Sequence, residues 1–543
     1  MSYKLLKFEE KNVIRKRLSK AYVKVALCYP SVYRVAISSL GYQLLYFMLN
    51  SEPDIACERV VVTTLSGEEP PPKSIESLTP LKNFDVVIFS VHYELDYVNI
   101  ARLLISAGIN PLRNERSDTD PVIITGGPPV TANPRPLENI ADVCFIGEAE
   151  LSLIELVYEA AEVKANRKEL AKLTEIKGAY VPGISECTER VWIRNLNTSF
   201  HPTRQILPLT EQKELEPIFG KAAQIEVTRG CGRGCRFCLL GYCFRPYRER
   251  SIGVAKKLVE EIIDYNSVNK VVLIGSSLSD YSELIRLLEY CKEKNLSVSL
   301  PALRTDAVED KVLELMAELG QRTLTIAPES SERIRLKLNK PIENSEVVNK
   351  CLSAVKLGLR NIKLYFLYGV PGEEKKDFKE ISELVKEIKN KLKLSRENIR
   401  VSINPLIPKA HTPLQWIVIE DKQTLQKKKS FLERILKSYS RVEGYSPLEA
   451  QIQAILSLGD SSLSKAIIYA AKAGGGKSGW RRALAFFNIN PQKYLEEMIR
   501  LKPWNIAKIG VKEEYLLKEY EKFISSEITP TCFEKCTNCG VCK

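Results

Sequence analysis

The chain has 543 residues, 44% hydrophobic and 27% charged, with a formal net charge of +13. That length exceeds one ordinary core and predicts two to four domains. No run of about 18 apolar residues predicts a membrane span, and the first residues lack the apolar core of a signal peptide, so the expectation is a cytoplasmic protein with no membrane partner.

The positive charge suits a polyanionic partner such as RNA, or an acidic substrate, with Lys and Arg spread along the chain rather than massed in one arm. Seven of the 14 cysteines fall in two tight groups. The others, Cys28, Cys57, Cys144, Cys187, Cys243, Cys291 and Cys351, are scattered, mostly beside apolar residues, which fits a reducing compartment better than a disulfide framework.

Residues 21–165 alternate β-rich runs (23–28, 59–63, 85–91, 122–125, 142–146) with helical stretches at 38–50 and 94–107. Val/Ile runs apolar on both faces predict a parallel sheet covered by helices, hence a doubly wound, Rossmann-like α/β domain over 1–165 with its site at the strand C-termini. His92 closes a strand predicted to be buried and is expected to be a hydrogen-bonded structural residue. Residues 166–210 lose periodicity and read as a connecting segment.

Residues 223–228 read as a buried strand, after which the chain breaks at Gly230 and presents Cys231, Cys235 and Cys238, spaced C-x3-C-x2-C. Thiolates suit zinc, copper(I) and iron–sulfur clusters, and Gly230, Gly232 and Gly234 make this loop pliable. A four-iron cluster held by three thiols keeps one iron without a protein ligand, an open position for chemistry. A zinc knuckle or a half-buried thiol cluster is the plainer alternative, and Cys243 reads as a packed thiol. The spacing, with Phe237 before the third cysteine, resembles the radical S-adenosylmethionine (SAM) superfamily. The resemblance implies a [4Fe-4S] cluster that chelates SAM and cleaves it reductively to a 5′-deoxyadenosyl radical, with a ferredoxin- or flavodoxin-type electron donor.

A second alternation follows, with strands expected at 223–228, 271–275, 298–303, 323–327, 362–368 and 399–404 and helices between them. Six β/α units predict a partial (β/α)6 TIM-like barrel within a core spanning 211–445, its site at the strand C-termini. The barrel resemblance implies roles for residues at those ends. Gly275 and Ser276 stand where backbone meets the methionine amino group. Glu329 is expected on ribose hydroxyls, Arg333 or Arg335 on the SAM carboxylate, and Gly369 and Gly372 against adenine. His411, in the proline-rich loop 404–416, is expected as acid, base or substrate contact. Helix caps, tight turns, surface ion pairs and a loop-holding hydrogen bond are the plainer readings of these residues.

Residues 446–530 read as helical, with helices at 448–458, 464–473, 480–487, 491–501 and 513–525. Gly474-Gly475-Gly476-Lys477-Ser478 is not a phosphate loop: the pattern needs glycine where Ala471 stands, and a helix precedes it. Residues 531–543 carry Cys532, Cys536, Cys539 and Cys542, spaced C-x3-C-x2-C-x2-C, a closed four-thiol site for zinc or a second [4Fe-4S] cluster.

In the N-terminal domain, Tyr29-Pro30-Ser31-Val32-Tyr33, Gly126-Gly127-Pro128-Pro129 and Gly147-Glu148-Ala149-Glu150 resemble the cobalamin-binding-type domain that precedes many radical SAM cores. Cobalamin is therefore an implied cofactor, although the Asp-x-His-x-x-Gly cobalt-ligand run is absent. The stretch 363–373 resembles methylthiotransferase-like and Elongator-like cores. The expectation is a radical SAM enzyme for C–H functionalisation, with methyl or other group transfer to RNA or a small molecule. The alternative is a non-catalytic iron–sulfur or zinc protein that binds RNA.

Overall fold

The β-branched runs of the N-terminal half form the strands they predict. In the computed structural model, which describes residues 8–542, β1 (Val23–Val32), α1 (Leu40–Ser51), β2 (Ile55–Val62), β3 (Val86–Ser90), α2 (Tyr97–Ser106), β4 (Val122–Gly126), β5 (Val143–Phe145), α3 (Leu153–Val163) and β6 (Ala179–Tyr180) follow in chain order. Strand order is β2-β1-β3-β4-β5-β6, parallel except for β6, which runs antiparallel to β5. This is the doubly wound arrangement expected, and its topological switch point lies between β1 and β3. β1 runs farther than its apolar stretch because a register shift between Tyr29 and Val32 accommodates Pro30.

One local expectation changes here. β3 stops at Ser90, so His92 lies beyond the strand and is exposed rather than buried.

The second alternation builds β7 (Ala223–Glu226), α4 (Ile252–Asn266), β8 (Lys270–Ile274), α5 (Leu284–Glu293), β9 (Ser297–Ser299), α6 (Asp310–Glu318), β10 (Thr323–Glu329), α7 (Glu332–Lys337), α8 (Asn344–Lys356), β11 (Asn361–Tyr368), α9 (Lys375–Leu392), β12 (Ile399–Pro405), α10 (Lys422–Leu436) and β13 (Arg441–Gly444). β7-β8-β9 and β10-β11-β12-β13 are parallel sheets, joined by a parallel bridge between Leu303 and Ile326. Among the described residues there are thus seven parallel strands where six were expected. The seventh is largely exposed and reads Arg-Val-Glu-Gly, with no apolar run to reveal it. β9 is half its expected length, because Pro301 has no N–H to give a ladder.

The chain forms two compact units. The described residues up to Lys221 cluster with Ile455–Gly510, and Ala222–Ala454 cluster with the described residues from Val511 onward. The expected helical region 446–530 is therefore divided. α11 (Leu463–Lys472), α12 (Gly476–Phe486) and α13 (Pro491–Leu501) belong to the first unit. There Asn133 donates to the Gly459 carbonyl (2.8 Å), Ser464 donates to the Pro136 carbonyl (2.8 Å), and Ala507–Lys508 pairs in parallel with Thr188–Glu189. α14 (Glu513–Ser525) and the cysteine tail belong to the second unit. Among the described residues no helix is long and apolar enough to cross a membrane.

Candidate active site

Past β7, Thr228–Arg229 pairs antiparallel with Arg248–Glu249 and so fixes both ends of the cysteine loop. Gly230 turns into that loop at φ 78°, and a Cβ there would stand 2.3 Å from the carbonyl oxygens of Phe244 and Pro246. No other residue fits. Cys231, Cys235 and Cys238 are half-buried, and the Cys238 amide donates to the Cys235 carbonyl (3.0 Å). Burial, reinforced by the neighbouring cysteines, pushes the Cys231 thiol up to about 12 and the Cys238 thiol up to about 11. Metal binding would have to displace the protons of Cys231 and Cys238. Among the described residues no three such donors stand close enough to hold a metal ion. The donor set fits an iron–sulfur cluster. Three soft ligands share one loop, and Arg304, aligned by Asp306 (2.8 Å), donates to the Cys235 sulfur (3.3 Å).

The other expected residues gather at the strand ends. Gly275 follows β8, where a Cβ would meet Thr228 Oγ1 at 2.2 Å; Ser276 beside it is exposed. Glu329 ends β10 in a left-handed conformation (φ 69°) after a register shift, and Lys340 pairs with its carboxylate at 2.7 Å, both side chains being buried. Its negative charge contributes to the raised Cys238 thiol, which places it beside the cysteine loop. The buried hydroxyls of Thr228, Thr305 and Ser330 have no hydrogen-bond partner among the described residues. Buried groups of this kind are what a bound ligand satisfies.

Arg333 and Arg335 depart from expectation. Arg333 is tied to Asp377 (2.5 Å) and the Gly372 carbonyl (2.9 Å). Arg335 is wholly buried, donating to the carbonyls of Pro328 and Ile342 and to the Asn344 side chain. Both guanidiniums brace the loops after β10 and β11 instead of facing a ligand carboxylate. Gly369 and Gly372 take φ 78° and 85°, and the Gly369 amide donates to Glu373 (2.6 Å). Burial pushes the Glu373 carboxyl up to about 8, against the pull of Lys428 at 3.6 Å. His411 is buried in the left-handed region (φ 57°), and its amide donates to the Gln415 side chain at 2.9 Å. Phe237 packs on the apolar cluster of Ile334, Leu338 and Val370.

The tail lies against the same loop. The Cys532 amide donates to the Gly232 carbonyl (2.8 Å), Phe533 stands edge-on to Tyr247, and the Lys512 amide donates to the Cys539 carbonyl (2.9 Å). Cys539 is buried with Tyr242, Tyr515 and Leu516, whereas Cys532, Cys536 and Cys542 are exposed. Arg236, within the cysteine loop and wholly buried, pairs with Glu519 of α14 (3.2 Å) and donates to the carbonyls of Lys337 and Glu527. Sequence reasoning missed Arg236, Arg304, Lys340 and Glu519. Arg236, Arg304 and Glu519 act through partners far away in the chain, Lys340 acts through Glu329 eleven residues before it, and none belongs to a spaced motif.

In the first unit, His92 lies just past β3, beside the switch point. Its Nε2 is 3.3 Å from the Ser90 hydroxyl and 3.4 Å from that of Ser39, and its ring is 5.4 Å from that of Tyr29.

A barrel of parallel strands with a three-cysteine loop after its first strand defines a class, and comparison with known proteins agrees. The chain matches the radical SAM superfamily over residues 225–385 and the radical SAM N-terminal family over residues 41–182. The chain belongs to the radical SAM superfamily. An uncharacterised protein of Methanocaldococcus jannaschii is 32% identical over 454 residues, 83% of this chain and 92% of the relative. The ribosomal protein uS12 methylthiotransferase RimO of Thermotoga maritima is 23% identical over 180 residues, 31% of this chain and 41% of the enzyme. The solved radical SAM methyltransferase TsrM of Kitasatospora setae, with cobalamin and a [4Fe-4S] cluster bound, aligns with a TM-score of 0.47 and 13% identity over 70% of this chain and 72% of that one. The protein is thus a radical SAM enzyme whose cofactors are a [4Fe-4S] cluster and SAM.

Proposed function

We propose that Cys231, Cys235 and Cys238 hold the cluster and that the enzyme transfers a methyl or related group to an unactivated C–H position. The observation that carries the site assignment is the cysteine loop, pinned at both ends after the first barrel strand. When bound, the cluster supplies the electron that splits SAM into methionine and a 5′-deoxyadenosyl radical. A ferredoxin- or flavodoxin-type protein is the donor this chemistry calls for.

The chain's own residues bind and orient. Gly275 and Ser276 offer backbone to the methionine end. Glu329, its charge neutralised by Lys340, accepts from ribose hydroxyls, and Gly369 and Gly372 allow close approach of adenine. His411 stays a substrate-contact candidate whose strained backbone marks it. The activities of the more distant relatives, RimO among them, support group transfer.

The tail cysteines bind zinc or a second cluster, a closed site that suits four thiols. His92 does not fit as a lower ligand for cobalamin, since its Nε2 already faces two hydroxyls, and no step is derived through that cofactor. Fourteen free cysteines support a reducing, cytoplasmic setting.

The deciding experiment is anaerobic reconstitution with iron and sulfide, followed by dithionite and SAM, assaying 5′-deoxyadenosine with Cys235→Ala as control. Deoxyadenosine from the wild type alone is the expected result. A wild-type protein that assembles no four-iron cluster would refute the site.

A further inference from the structure

The helices α11 to α13 carry a surface that radical chemistry does not use. Residues 455–510 contain nine Lys and Arg against three Asp and Glu, so this short segment supplies a large share of the chain's +13. On α11, Lys465, Tyr469 and Lys472 recur at i, i+4 and i+7 and so share one face. At the end of α12, Phe486 is 66% exposed and stacks on Tyr469, ring centroids 4.5 Å apart at 20°. Phe487 meets both rings edge-on at 5.9 and 5.0 Å. Lys465, Lys472, Arg481, Arg482 and Lys493 are exposed, and none is ion-paired among the described residues. A groove of about 420 Å³ beside the rings is lined by Lys465, Phe487, Asn490, Lys493 and Tyr494, with Glu497 its one acid.

We propose that this face docks single-stranded RNA, with a base stacking on Phe486 and phosphates meeting Lys465, Lys472 and Arg482. Charge decides between occupants. A protein interface is depleted of Lys at its core, whereas an aromatic platform interleaved with unpaired Lys and Arg is the arrangement single strands use. A duplex keeps its base faces covered and gains only the phosphate contacts. The proposal deepens the group-transfer reading by naming its substrate class, and its test uses neither SAM nor the cluster.

Fluorescence anisotropy with the full chain compares a labelled single-stranded RNA of about 12 nucleotides, within the span such sites cover, with the same sequence as a duplex. The single strand is expected to bind more tightly. Phe486→Ala should weaken it about 5- to 100-fold, the range that loss of one stacked base gives, while Phe486→Trp retains it. The Lys472→Glu, Arg482→Glu double variant should weaken binding and flatten its salt dependence. Phe486 is exposed, so an unchanged melting curve for the alanine variant excludes unfolding. Equal or tighter duplex binding, or a Phe486→Ala affinity within twofold of wild type, overturns the proposal. So does equal binding of an acidic peptide. None of these results touches the 5′-deoxyadenosine assay, so the two readings fail separately.

Discussion

Glu373 is a carboxyl held away from water. Lys428 is its cationic neighbour, Glu420 lies close behind, and one of its own oxygens has no partner among the described residues. Its usual value of 4.5 applies in the unfolded chain, and the folded value is about 8. Between those values the folded chain keeps a proton that the unfolded chain has released. The stabilisation is complete below about pH 4.5 and is lost as pH rises through about 8. Between about pH 6 and pH 9 this group alone should cost roughly 2–3 kcal/mol. The melting temperature should therefore fall over that span in the wild type and fall less in Glu373→Gln, which keeps the hydrogen bond from Gly369; thermal melts at the two pH values check it.

Arg304 makes a second residue-scale case. With the proposed cluster held on Cys235, the cation donating to that sulfur favours the more negative, reduced state, and a hydrogen bond worth about 1 kcal/mol corresponds to roughly 40 mV for one electron. Arg304→Gln should move the cluster midpoint more negative by an amount of that order, read by an EPR-monitored redox titration. An unmoved midpoint would mean that Arg304 only shapes the loop.

At the scale of elements, the cysteine loop is held by three others: the short strand pair at its base, α14 through Arg236 and Glu519, and the tail through Cys532 and Phe533. Deleting residues 531–543 removes the amide bond to Gly232 and the ring against Tyr247. 5′-Deoxyadenosine formed after reconstitution should drop to less than half of wild type, while far-UV circular dichroism stays close to it. Full 5′-deoxyadenosine formation by the truncated chain would make the tail a bystander.

Much of this scale was legible. Val/Ile runs and helical periods are local signals, and they gave α13 and α14 their bounds and most strands to within a few residues. The cysteine triad was legible because its three ligands lie within one loop. β13 was not, since a strand exposed on both faces carries no apolar alternation. Nor were the partners of Arg333, Arg335 and Arg236. A guanidinium's choice between a ligand and a carbonyl depends on which loop the fold brings near, and local spacing does not encode that. His92 was misplaced by the length of β3 alone.

For the whole molecule, residues 455–510 complete the first unit although more than two hundred residues of the second intervene. Leu463, Ile467, Trp480 and Trp504 of this segment are buried and α11 packs on α2, so removing the segment would bare the apolar surface it covers in the first unit. A fragment ending at residue 221 should therefore be insoluble, whereas the same fragment joined to 455–510 by a flexible linker should be soluble and melt cooperatively. Solubility of the first fragment alone, by sedimentation and melting, would show the segment to be dispensable.

The same interleaving sets an order of events during synthesis. Ribosomes add about 5–20 residues per second, so the Gly230 loop leaves the exit tunnel many seconds before the residues that brace it. Until α14 and the tail emerge, the three thiols of the loop stand without the contacts that brace it. Maturation of the metal centre is thereby postponed to the close of translation, and a nascent chain stalled before residue 511 is one that scaffold proteins delivering iron–sulfur clusters would find unable to keep its cargo.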